Sequence, residues 1–134
     1  MLNSPIVPNL SNIERVEVIY DMNSTDPAIN WVAGGITNGM VITVDLSKYK
    51  MLRCQYQSYN KAIVAFGDLT TPTVRQDPNV DPAPRYTIYA VVYDGSSFDE
   101  IISEVDSEKK TFTASYLPGR GNRSVFISKI EGIY

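Results

Sequence analysis

Apolar and polar positions alternate with period two along most of the chain. β-Branched and aromatic residues fill the apolar places, which is the pattern of half-buried strands. Val16, Val18 and Tyr20 share one face of a first predicted strand, with Arg15 and Glu17 on the other. A second run turns Met40, Ile42, Val44 and Leu46 inward and Val41, Thr43 and Asp45 outward. Residues 51–57 and 61–66 follow, and in the latter Ala62, Val64 and Phe66 share a face. Tyr86, Ile88, Ala90 and Val92 mark a longer strand whose other side carries Thr87, Tyr89, Val91 and Tyr93. Being apolar or aromatic on both sides, it is expected at the centre of a sheet. Phe112, Ala114 and Tyr116 form a further strand, and residues 124–130 close the series, extending toward Tyr134.

Turn residues punctuate these runs. Gly34-Gly35 and Asn38-Gly39 bracket a tight reversal, residues 58–60 link two strands, and Asp94-Gly95-Ser96-Ser97 follows the long strand. Pro118-Gly119-Arg120-Gly121-Asn122 reads as a hairpin loop. Such short connections leave no room for βαβ crossovers, so the expected fold is all-β, an antiparallel β-sandwich of jelly-roll type. Residues 97–110 admit two readings. Ser97 to Glu100 fits a helix capping box, with Ile101, Ile102 and Val105 as its stripe; alternatively, Ile101, Ser103 and Val105 alternate in a hairpin arm that returns through residues 111–116. The returning strand favours the hairpin. Residues 67–84, with four prolines and little apolar period, form a long loop inside a single domain at 13–134, preceded by an extension at 1–12.

Composition narrows the chemistry. The 134 residues contain no histidine, which removes the commonest general base and metal ligand together with every triad built on it. A net charge of −3 supplies no basic excess for phosphate backbones, so nucleic acid is not an expected partner. No apolar run approaches the roughly 20 residues that span a bilayer, and residues 1–10 do not resemble a signal peptide. No motif for nucleophilic catalysis or phosphate cradling is present. Asp68, Asp77 and Asp81 do not follow an EF-hand spacing and are expected to shape turns. Asp94, Asp99 and Glu100 are the nearest approach to a carboxylate pair, and solvated acids beside a Gly-Ser turn are the plainer reading. The expectation is a protein that is not an enzyme and needs no cofactor or metal.

Nine tyrosines and one tryptophan supply rigid amphipathic surface. Tyr20, Tyr86 and Tyr116 are assigned to the core or its margin. Trp31, Tyr59 and Phe98 lie in or beside predicted turns, where a large ring is hard to bury and is placed to stack on a sugar. Arg120, Asn122 and Arg123 add guanidinium and amide donors at a loop tip, suited to carboxylated or phosphorylated glycans.

Two segments resemble a known family. Residues 35–52, GITNGMVITVDLSKYKML, and the ending at 124–134, SVFISKIEGIY, are similar to the C-terminal modules of tailed-bacteriophage fibre, baseplate and tail proteins. The resemblance implies a virion β-sandwich head or accessory domain, made in the host cytoplasm. Such a domain associates as a homo-oligomer, a trimer being favoured, packs against other virion proteins and presents loops to a host surface glycan. A purely structural tail or capsid protein that touches only virion proteins is the alternative, and a polysaccharide depolymerase is a third.

Overall fold

The computed structural model describes residues 15–58, 61–74, 79, 81–93, 98–118 and 124–134. Among them are eight strands and no helix: β1 (Val16–Asp21), β2 (Val41–Thr43), β3 (Met51–Ser58), β4 (Lys61–Asp68), β5 (Arg85–Tyr93), β6 (Phe98–Asp106), β7 (Thr111–Tyr116) and β8 (Phe126–Ile133). They form two four-stranded antiparallel sheets, ordered β1-β8-β3-β4 and β2-β7-β6-β5. The expected all-β sandwich is therefore the architecture. Its finer jelly-roll description is not carried by the pairing, because β3–β4 and β5–β6–β7 are local meanders.

Alternation decides which residues fill the space between the sheets. Leu52, Cys54 and Tyr56 point inward from β3, Ile101, Ser103 and Val105 from β6, and Phe112 and Ala114 from β7, all of them buried. Fully burying such a side chain stabilises by about 1.5–3 kcal/mol, so this layer holds the two sheets together. Cys54 is a free thiol inside it, and burial pushes its pKa up to about 12, which keeps it protonated and inert.

Of residues 97–110, the described ones, 98–110, adopt the hairpin rather than the helix. β6 and β7 pair across a turn in which Asp106 accepts from the backbone N–H groups of Lys110 and Thr111, each at 2.7 Å, and Lys109 takes φ 59°. The glycine reversal before β2 is also present, with Gly34, Gly35 and Gly39 at φ 82°, 97° and 84°. Those left-handed values are accessible to glycine at little cost.

Three expectations need correction. β5 lies at the edge of its sheet, not its centre; its second apolar side faces outward, with Tyr89, Val91 and Tyr93 exposed. On β1, a bulge between Val18 and Tyr20 changes the phase, so Tyr20 is buried while Val16 and Val18 remain exposed. Ala62, Val64 and Phe66 do share a face, as their alternation predicts; it is the outer one, and Ala65 and Gly67 turn to the core. The strands that flank residues 118–122 do not pair as a hairpin: β7 and β8 belong to different sheets, with Val125 N donating to Pro118 O at 2.8 Å, and residues 119–122 themselves lie outside the described residues. The long loop is also shorter than expected at its start, since Gly67 and Asp68 complete β4. Asp68 and Asp81 shape turns, accepting from the N–H groups of Thr70 and Ala83; Asp77 lies outside the described residues.

Candidate functional site

The sandwich has a cleft of about 530 Å³ on its β1 and β2 side, lined by Glu17, Val18, Trp31, Asp45, Lys48 and Tyr49 among others. Each wall has a local cause. Glu17 is an exposed position of β1 opposite Gly132 of β8, just ahead of the bulge. Trp31 follows a compact turn in which Asp26 accepts from Ala28 N and Ile29 N and Asn30 N return to Asp26 O. The indole packs on Tyr20, ring centroids 5.0 Å apart, and Tyr20 donates its hydroxyl to Val32 O at 2.6 Å. Trp31 is thereby held half-buried with part of its surface in the cleft. Asp45 to Tyr49 form the turn between β2 and β3, fixed by Ser47 donating to Asp45 through both its N–H (3.0 Å) and its hydroxyl (2.6 Å).

The polar wall is charged at neutral pH. The Tyr134 hydroxyl donates to Glu17, and Lys48 Nζ approaches Glu17 Oε1 at 3.3 Å. The tyrosine hydrogen bond foremost, and the ammonium after it, hold the Glu17 carboxyl below its ordinary range. Lys48 is correspondingly raised, by Tyr134 first and Glu17 second. Asp45 is pulled down to about 2 by the two Ser47 hydrogen bonds, with Lys110 Nζ 3.1 Å away. Tyr49 is pushed up to about 12 by burial and by the neighbouring Glu17 charge, so it stays a neutral hydroxyl. Tyr49 meets Tyr134 edge-on at 5.3 Å, and the Arg15 guanidinium lies 4.5 Å from the centre of the Tyr134 ring. The cleft thus combines ring surface with fixed acceptors and an ammonium donor, a set suited to a polyhydroxylated ligand.

A second, smaller cleft of about 340 Å³ is lined by Asp81, Arg85, Glu104, Asp106 and Thr111 among others. Its charged groups are engaged with one another and with the backbone: Arg85 lies 3.5 Å from Glu104, and Asp106 serves the β6–β7 turn. Unlike the Trp31 cleft, it has no aromatic ring among the residues that line it. Among the described residues no group of three or more His, Cys, Asp or Glu side chains is placed to hold a metal ion. No helix there is long and apolar enough to cross a membrane.

Of the residues expected to bind, Trp31 is in the cleft. Phe98 is not: it is 70% exposed on the outer face of the other sheet, stacked on Tyr93 at 4.5 Å. Tyr59, Arg120, Asn122 and Arg123 lie outside the described residues. Tyr116, assigned to the core or its margin, is 43% exposed on the same outer face as Phe98. Sequence reasoning missed Glu17, Asp45, Lys48 and Tyr49. The one available signal was the Lys48-Tyr49 pair in the turn after an alternating strand; nothing in the one-dimensional pattern joins it to Glu17, 31 positions earlier. Comparison with protein-family models, curated proteins and solved structures finds no match to this chain in any of the three.

Proposed function

We propose that this protein is a non-catalytic recognition module of a virion, of tail or fibre type, which assembles as a homo-oligomer and binds host surface carbohydrate in the Trp31 cleft. The observation that carries the binding half is the pairing of Trp31 with ionised Glu17 and Asp45 and with Lys48 around one 530 Å³ space. An indole offers a flat apolar surface to the C–H face of a sugar ring. Carboxylate oxygens accept from its hydroxyls, and an ammonium donates to its ring or acetal oxygens. The virion assignment rests on the resemblance of residues 35–52 and 124–134 to tail and fibre modules. Retention on a glycan array and on host cell-wall polysaccharide tests the binding half. Wild-type protein is expected to be retained, and Glu17→Gln and Lys48→Ala, both outside the core, to lose that retention. A correctly assembled wild-type protein that binds no glycan overturns it.

A specific observation favours a second reading, a structural protein that contacts only other virion proteins. Tyr89, Val91, Tyr93, Phe98 and Tyr116 are exposed on one face beside Glu100, Glu104 and Ser115, an aromatic-rich surface of the kind found at protein interfaces. Under that reading, cleft substitutions leave adsorption to the host unchanged, and substitutions on this face block particle assembly.

A further inference from the structure

We infer that the Trp31 cleft takes neutral glycans and grips them through two hydroxyls on neighbouring ring carbons, held between Glu17 and Lys48. This rests on the carbohydrate reading of the same cleft and adds which sugars it admits. Charge decides the class. Three charged side chains line the space, Glu17, Asp45 and Lys48. Lys48 Nζ lies 3.3 Å from Glu17 Oε1, and Lys110 Nζ lies 3.1 Å from Asp45 Oδ1. Each carboxylate therefore already faces an ammonium, and each ammonium a carboxylate. A uronate, a phosphate or a free amine on the ligand gives up its water on entering and meets no unpaired counter-charge, so its desolvation goes uncompensated. An acidic group also meets two anions, because hydrogen bonds hold the carboxyls of Glu17 and Asp45 below their ordinary range, Asp45 at about 2. A neutral sugar incurs neither cost.

Hydrogen-bond geometry sets how such a sugar is held. Glu17 Oε1 and Lys48 Nζ stand side by side as an acceptor and a donor. One hydroxyl of a vicinal diol gives its hydrogen to the carboxylate, and the oxygen of its neighbour takes one from the ammonium, each at the ordinary length of about 2.7–3.0 Å. A lone hydroxyl engages only half of the pair. The two groups are fixed by their surroundings: the Tyr134 hydroxyl donates to Glu17, and Lys48 Nζ sits 5.5 Å and 5.7 Å from the centres of the Tyr49 and Tyr134 rings. Asp45 adds a third contact. Its Oδ1 accepts from the Ser47 N–H and hydroxyl and faces Lys110, which leaves Oδ2, among the described residues, as an open acceptor for a further hydroxyl. Trp31 supplies an apolar wall for the C–H face of the ring.

An array of matched ligands tests the inference on the full chain. It carries gluco-, galacto- and manno-oligosaccharides, their uronate and free-amine counterparts, and analogues deoxygenated singly at each ring carbon that bears a hydroxyl. Wild type is expected to retain at least one neutral series and to bind its uronate and amine counterparts about tenfold or more weakly. Loss of either hydroxyl at two neighbouring ring positions is expected to weaken binding to the same extent. Asp45→Asn is the second arm. The amide keeps Oδ1 for Ser47 and sets a donor nitrogen where Oδ2 stood, so the ratio of neutral to uronate binding is expected to fall about tenfold. The Asp45 side chain is exposed, and far-UV circular dichroism checks that the variant keeps the fold. A uronate or amine series held as firmly as its neutral parent overturns the inference and leaves the carbohydrate reading standing. So does a series in which no neighbouring pair of hydroxyls matters, or a ratio that Asp45→Asn does not move. Retention of no glycan by folded wild type overturns both.

Discussion

Tyr56 Oη and Ser103 Oγ lie 2.9 Å apart in the core, joining β3 of one sheet to β6 of the other through a buried side-chain hydrogen bond. Both residues are fully enclosed, and the Tyr56 hydroxyl also meets the buried Cys54 thiol. Burial foremost raises the Tyr56 pKa well above its ordinary value and keeps the phenol protonated. Ser103→Ala strips the phenol of that partner and is expected to cost about 1–3 kcal/mol. Tyr56→Phe combined with Ser103→Ala is expected to recover much of that loss, because no buried hydroxyl of the pair remains. Urea unfolding of the two single variants and the double variant measures the coupling.

Glycine substitutions separate the fold from the site. Gly67 and Gly132 both lack room for a methyl group, but they press on different neighbours. A Cβ at Gly67 runs into the Ile88 side chain in the core, whereas one at Gly132 meets the Tyr49 ring, coming within 2.6 Å of Cγ. Gly67→Ala is expected to destabilise by about 1–3 kcal/mol and to leave glycan retention intact at temperatures where the protein is folded. Gly132→Ala displaces Tyr49 from the cleft and is expected to weaken retention as well. Thermal melts and retention assays on both variants check the separation.

Acid should weaken the fold through carboxylates that it holds ionised. Burial works to raise the Asp106 pKa, but hydrogen bonds from the Thr111, Lys110 and Glu108 backbone and from the Thr111 hydroxyl outweigh it, and the net direction is down. Glu131 is lowered chiefly by Arg53, whose Nε and second terminal nitrogen each donate at 3.0 Å. A carboxyl whose folded pKa lies below its unfolded value contributes stability above the unfolded pKa and loses it as pH falls through the folded one. The melting temperature is therefore expected to be flat from neutral pH to about 5 and to drop below about 4. Asp106→Ala is expected to melt lower at neutral pH and to show a shallower acid slope. Scanning calorimetry across pH reads both.

The sandwich was legible because period-two burial is a local property. Leu52, Cys54 and Tyr56 announce their common face within five residues, as do Ile101, Ser103 and Val105. Sheet order was not legible. β5 carries apolar residues on both sides whether its outer face meets a layer of its own domain or something beyond it, and composition alone does not distinguish those cases. The bulge in β1 was equally hidden: one extra residue reverses the phase of Val16 and Val18 without changing the pattern that predicts them. The cleft was half legible. Trp31 stood out as a large ring in a turn, whereas Glu17, Asp45 and Lys48 read as ordinary solvated charges until the fold set them around it.

Trp31 is the protein's one tryptophan, so emission excited at the red edge, where the nine tyrosines do not absorb, reports on the cleft. The most direct measurement is a titration of wild-type protein with the glycan best retained on the array, following tryptophan emission. A saturable change in intensity or wavelength is the expected result, together with its loss in Glu17→Gln. A glycan that is firmly retained yet leaves the emission unmoved to saturation would place the binding surface elsewhere and contradict the account.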